Sequence, residues 1–295
     1  MRIVSLLPST TEIVFDLGLQ DQLQGVTVEC NWPKSAKSGR EIVVDTFTTP
    51  TMTPGEIDAI VKQRMAAGLD LYNLDDDALA RCNPDLILSQ DLCRVCAVAS
   101  GDVDAAVARL NCDATVLQID PQNLHQVIES INTIAVAAGV ADRGIALTES
   151  LHSRLKAVAM AVVGKKRPKV FVLEWTDPPF GAGHWVPDII TAAGGEPVLC
   201  RPGDRSVQTT WDEIAAVTPD VVIVAPCGFG LDGASDQALS ISEFLPTSVA
   251  VWAIDADAVM VRPGPRLVDG VEAIAHMLHG DNVNNINNEL LRKIR

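Results

Sequence analysis

The chain has 295 residues, 47% apolar and 21% charged, which is enough for a large core or for two lobes. Its formal net charge is −15, from 38 acids against 23 bases, which disfavours nonspecific binding to nucleic acid and to anionic membrane surfaces.

The N-terminus, "MRIVSLLPSTTEIVF", has an apolar run broken after Leu7 by Pro-Ser-Thr-Thr-Glu. This reads as a strand and a helix start, not as a secretory leader. No apolar run of the roughly 18 residues needed to cross a membrane is present, so no membrane insertion is expected. The expected location is therefore the cytoplasm. A chain whose leader had been removed would read the same way and act in the periplasm.

Seven cysteines, an odd number in a large chain, argue for reduced thiols over a disulfide scaffold.

Short, nearly continuous apolar runs predict buried strands at Ile3–Leu7, Gly25–Val28, Asp85–Ser89, Thr115–Ile119, Val170–Leu173, Val221–Ala225 and Val251–Ile254. Helical patterns alternate with them at Thr10–Gly18, Pro54–Ala67, Val103–Leu110, Leu124–Ala138, Trp211–Val217 and Pro265–Leu278. The alternation predicts an α/β fold. Ser9 and Glu12 have the spacing of a capping box on the first helix. Asn83-Pro84-Asp85 and Thr218-Pro219-Asp220 each precede a buried strand, a coarse repeat that predicts two similar lobes.

Between the lobes, Leu147, Leu151, Leu155, Val158 and Val162 recur in steps of four, four, three and four within a proline-free stretch, 141–163. An unbroken helix of those 23 residues is about 35 Å long, a strut more than a linker. The expected domains are residues 1–140, a connecting helix at 141–164, residues 165–280, and a tail at 281–295 that is either a peripheral helix or frayed.

In parallel α/β sheets, ligands sit beyond the carboxyl ends of the strands. The unusual residues fall there. Glu29, Cys30 and Trp32 follow the second strand, and Cys93 and Cys96 follow Asp85–Ser89. Glu174, Trp175, Asp177, Phe180, His184 and Trp185 follow Val170–Leu173, while Cys227 and Phe229 follow Val221–Ala225. Asp255 and Arg262 lie beyond the last strand. Cys30, Cys93, Cys96, Cys227 and His184 are candidate metal ligands, suited to zinc or iron, set against a plain reading as small packing groups. His184 either ligates a metal or braces the tryptophans beside it. His125, His152, His276 and His279 sit in helical patterns and read as surface or packing residues.

Gly228–Gly233 spells G-x-G-x-x-G after a strand, with Asp255 following at roughly the 20-residue interval of a dinucleotide fingerprint. A dinucleotide-dependent oxidoreductase is therefore a rival reading. The chain has no Gly-x-Ser-x-Gly elbow, no phosphate-binding Gly-Lys-Ser/Thr loop and no His-Glu-x-x-His.

In order, "RIVSLLPSTTEIVFDLG", "GVTVECNWP", "NPDLILSQDLC", "VFVLEWTDPPFGAGHW", "PDIITAAGG" and "RPGPRLVDGVEAI" resemble the cobalamin-binding members of the helical-backbone substrate-binding proteins of ABC transporters. The resemblance covers about residues 1–280, and the cysteines mark a distinct subgroup. It implies two Rossmann-like α/β lobes with parallel sheets joined by a single long backbone helix, with the ligand in the cleft between them. It also implies no enzyme activity, a small-molecule ligand (cobalamin or a related corrinoid) and an ABC transporter permease as partner. Trp32, Trp175, Phe180 and Trp185 would then contact the macrocycle, with Glu174, Asp177 and Arg266 on its polar periphery. A thiol-rich cleft for a bare metal ion is the alternative.

Overall fold

The computed structural model describes residues 1–49, 51–90, 100–109, 112–280 and 289–295. They form two compact units, Met1–Asp120 with Glu129–Thr148, and Pro121–Ile128 with Glu149–Arg295. The division passes through two helices.

The first part of the chain runs β1 (Ile3–Ser5), α1 (Pro8–Asp16), β2 (Leu23–Thr27), β3 (Glu41–Thr46), α2 (Pro54–Ala66), β4 (Tyr72–Leu74), α3 (Asp76–Cys82) and β5 (Leu86–Ser89). It continues through α4 (Ser100–Arg109), β6 (Thr115–Gln118), α5 (Leu124–Ala137) and α6 (Ala141–Val162). The first sheet has the order β4-β3-β2-β1-β5-β6, parallel except for β4 at its edge. Its core packs Val4, Leu6, Val43, Leu79, Ile87 and Val103.

The second part runs β7 (Lys169–Thr176), β8 (Pro179–Gly181), α7 (Val186–Ala192), β9 (Glu196–Pro197), β10 (Val207–Gln208), α8 (Trp211–Ala216) and β11 (Val221–Val224). It ends with α9 (Leu231–Ile241), β12 (Ala250–Ile254), α10 (Ala256–Val259), α11 (Leu267–His279) and β13 (Leu291–Lys293). The central strands β7, β11 and β12 are parallel. Val170–Leu173 of β7 is wholly buried, as expected of a strand covered on both faces.

The repeat seen in the sequence has a physical basis. Asn83 and Thr218 both take positive φ, 43° and 49°, to end a helix before the proline. Asp85 then accepts from the Arg2 amide at 2.6 Å, and Asp220 from the Lys169 amide at 2.8 Å. Each carboxylate pins the entry of the neighbouring central strand.

Four expectations change. The second sheet is mixed, because β8, β10 and β13 are antiparallel. The strand expected to stop at Leu173 runs on to Thr176 and turns back at once into β8, and only an antiparallel partner can be reached by so short a turn. The tail ends as strand β13, with Ile294 on the core and Arg295 donating to the carbonyls of Ser242 and Pro246. Ser9 does not cap α1: the helix begins at Pro8 behind Leu7, and Ser9 is buried. Thr10 and Thr11 instead hydrogen-bond Ser5 at 2.6 and 2.8 Å.

The stretch expected as a strut forms α6, 22 residues long. In the second unit Arg154 of α6 donates to Glu272 of α11 at 2.9 Å and pairs with Asp269, which ties the two helices together. Among the described residues no helix is long and apolar enough to cross a membrane.

Candidate functional site

In the second unit the carboxyl ends of β7, β11 and β12 carry a connected set of side chains. Trp175 lies on β7 beyond a register irregularity, with Phe180 of β8 opposite it. Its indole N–H donates to the Asp177 carbonyl at 3.1 Å, which holds the half-buried ring. Phe229 comes from the turn after β11, and its ring centroid lies 5.9 Å from that of Trp175 at an interplanar angle of 59°.

That turn is built tightly. Gly228 takes φ +84° and donates its amide to Asp257 at 3.1 Å. A side chain at Gly233 would place its Cβ 2.8 Å from the Phe229 ring. Cys227 is exposed, and its amide donates to the Glu174 carbonyl at 3.3 Å. The Glu174 carboxylate accepts from Ser206 Oγ at 2.9 Å.

Asp257 also pairs with Arg262 at 2.9 Å, both side chains being largely buried. Burial nonetheless outweighs the attraction of Arg262 and pushes the Asp257 carboxyl above its ordinary range. Asp255 caps α10 through the Ala258 amide. The fingerprint glycines and Asp255 are thus used by local packing and capping. Arg266 stands at the start of α11.

His184 has φ +53°, and its amide donates to the Asp204 carbonyl at 2.6 Å. Only glycine fits at position 183, where a Cβ would approach the backbone of residues 204–206 to 2.5 Å. Burial, and then the nearby Arg205 charge, lower the pKa of the half-buried His184 and favour neutral imidazole. Trp185 departs from the expectation of a ligand contact: it is 5% exposed, and its indole N–H donates to the Met260 carbonyl at 2.8 Å. It belongs to the core and braces the turn that carries His184, whose ring lies 5.6 Å away.

In the first unit Cys30 is buried after β2, with its Sγ 3.1 Å from Thr11 Oγ1 and 3.3 Å from Thr27 Oγ1. Glu29 is half-buried in the same turn, and Trp32 is 44% exposed. Cys93 and Cys96 lie outside the described residues. Burial pushes the thiols of Cys82 and Cys200 up to about 11, so neither is poised as a thiolate.

The structure therefore brings together Glu174, Trp175, Phe180, Cys227 and Phe229. The reading from sequence missed Asp257, which sits two residues past Asp255 at the end of β12. The strand-end rule, applied one turn further, points to it.

The family described as periplasmic binding protein matches residues 3–252. The chain belongs to that family. Its relatives include an uncharacterized ABC transporter substrate-binding lipoprotein, YvrC, of Bacillus subtilis, 26% identical over 95% of this chain and 80% of the relative. A vitamin B12-binding protein of Vibrio cholerae is 20% identical over 94% of this chain and 88% of its own length. A solved periplasmic haem-binding protein of Pseudomonas aeruginosa has the same fold, with a TM-score of 0.73 at 18% identity, over 99% of this chain and 97% of that one.

The expectation of a cytoplasmic protein is overturned. A periplasmic family and a lipoprotein relative point to a place outside the cytoplasm. The physical reason is that the surface and core of a folded binding protein carry no mark of its compartment; the cytoplasmic reading rested only on how the first residues read.

Proposed function

We propose that the chain is the substrate-binding component of an ABC transporter, and that its ligand is a flat metal-bearing macrocycle, a corrinoid of the cobalamin kind. The observation that carries this reading is the Trp175–Phe229 pair, two half-buried rings presented at the strand ends of one unit. Aromatic faces there supply apolar contact to a planar ring system. Glu174, Asp177 and Arg266 are polar groups for its periphery, and a neutral His184 is suited to a metal. The names of the relatives, for vitamin B12 and for haem, support the ligand class. The protein would hold its ligand noncovalently and deliver it to a permease.

Direct binding of a bare metal ion by thiols is the weaker reading, because Cys30 is buried beside two threonine hydroxyls. The test is a titration with aquocobalamin and, separately, with hemin, followed by visible absorption and calorimetry. Saturable one-to-one binding of aquocobalamin supports the corrinoid reading. Binding of hemin alone replaces the corrinoid with haem. Heat and spectral change with neither ligand would reject the macrocycle.

A further inference from the structure

The second unit contains a cavity of about 320 Å3, formed wholly by its own residues. Arg201, Asp204 and Arg205 line it together with Ala182, Leu199 and Val207. The cavity borders the strand-end set, because Ser206 on the same loop donates to the Glu174 carboxylate at 2.9 Å. We infer that it is a subsite for an oxyanion, a phosphate or a carboxylate, carried on a small organic group and clamped by the guanidinium groups of Arg201 and Arg205. The subsite needs no macrocycle to exist.

A tight turn builds the cradle. Pro202 and Gly203, the latter at φ +81°, are its central residues, and the Asp204 amide closes it on the Arg201 carbonyl at 3.2 Å. Proline and glycine preset those dihedrals, so the bend exists before any ligand arrives. The turn is fastened twice to His184, whose amide donates to the Asp204 carbonyl at 2.6 Å and whose carbonyl accepts from the Gly203 amide at 3.0 Å. Val207 then pairs with Gly181 of β8. Arg201 and Arg205 thus leave the two ends of a fixed bend, and a ligand does not have to order the backbone that carries them.

Charge points to the occupant. Acids outnumber bases 38 to 23 in the chain, and Arg2, Arg81, Arg154, Arg262 and Arg292 each pair with a carboxylate. Among the described residues no hydrogen bond or ion pair engages the guanidinium of Arg201 or Arg205. Two such forks at one cavity match the lone pairs of a carboxylate or phosphate. Asp204 lines the same cavity and opposes an anion, which limits its affinity. The remaining wall is apolar or neutral: Leu199 and Val207 are 42% and 63% exposed, and burial pushes the Cys200 thiol up to about 11. At roughly 30 Å3 per water, the cavity has room for more than a bare oxyanion. The organic part of the ligand would cover Leu199 and Val207.

The test is calorimetric titration of the whole chain with phenyl phosphate, at an ionic strength matched with chloride. The expected result is one phenyl phosphate per chain, held more tightly than inorganic phosphate. Affinity should fall at least ~10-fold when Arg201→Gln and Arg205→Gln are combined, and rise in Asp204→Asn. No saturable binding, or the same affinity in the double variant, would overturn the proposal. All three side chains are exposed, and unchanged melting of the variants confirms that they fold. Aquocobalamin or hemin added to the saturated protein separates two sources of the oxyanion. Competition puts it on the periphery of the macrocycle, and independent binding makes it a separate small ligand. Binding of phenyl phosphate with neither macrocycle bound would reject the macrocycle and leave the subsite standing.

Discussion

The Trp175 and Phe229 rings, from the ends of two neighbouring parallel strands, meet at 5.9 Å and 59°. Each is held from behind, Trp175 by the Asp177 carbonyl and Phe229 by its contact with Gly233. Such a wall is ready before a ligand arrives. If the macrocycle rests on it, Trp175→Leu should weaken binding by about 2 kcal/mol, or ~30-fold, and Phe229→Leu by ~10-fold. Titration of each variant with aquocobalamin or hemin measures this. Unchanged affinity in both variants would remove the wall from the site.

Trp185 should behave in the opposite way. Its buried indole fills core space and satisfies the Met260 carbonyl. Trp185→Ala should cost about 3–5 kcal/mol of stability, and Trp185→Phe about 1–2 kcal/mol for the lost hydrogen bond. Denaturant unfolding checks both. A loss of affinity without a loss of stability would return Trp185 to the ligand wall.

Asp257 and Arg262 form a largely buried pair behind the Gly228 turn. Arg262→Met removes the cation and should cost about 3 kcal/mol near neutral pH, because a buried carboxylate is left behind. The folded-state pKa of Asp257 is raised above 3.8, so the folded chain keeps a proton that the unfolded chain has released. Stability from this group is present below pH 3.8 and is lost as pH rises through the folded value. The loss should steepen in Arg262→Met and vanish when Asp257→Asn is added. Unfolding curves across pH follow this directly.

His184 has the reverse slope. Its folded pKa lies below 6.5, so as pH falls past 6.5 the unfolded chain takes up a proton that the folded chain refuses. Stability should decline on that side, and His184→Gln should flatten the decline. Equal slopes in the two proteins would show that the imidazole titrates freely.

Much of the architecture could be read along the chain. Val170–Leu173 and Val221–Val224 are apolar on every residue, which marks strands buried on both faces. The helix at 141–162 showed in the spacing of its leucines and valines. The Asn-Pro-Asp and Thr-Pro-Asp repeats marked corresponding entries into two sheets, and the strand-end rule located Trp175 and Phe229.

What side chains do at those places was less legible. Trp175 and Trp185 are the same residue type in one short stretch, yet one is half-buried at a strand end and the other is core. Arg154 and Arg205 are likewise one residue type, and nothing local marked their difference, because the acids that hold Arg154 lie 115 and 118 positions away on another helix. The amino-acid sequence alone determined the alternation of strands and helices, since periodicity and backbone propensity are local. The tertiary structure decided which aromatic ring is a surface, which carboxylate is buried beside an arginine, and which arginines find an acid, because those depend on contacts between segments distant along the chain.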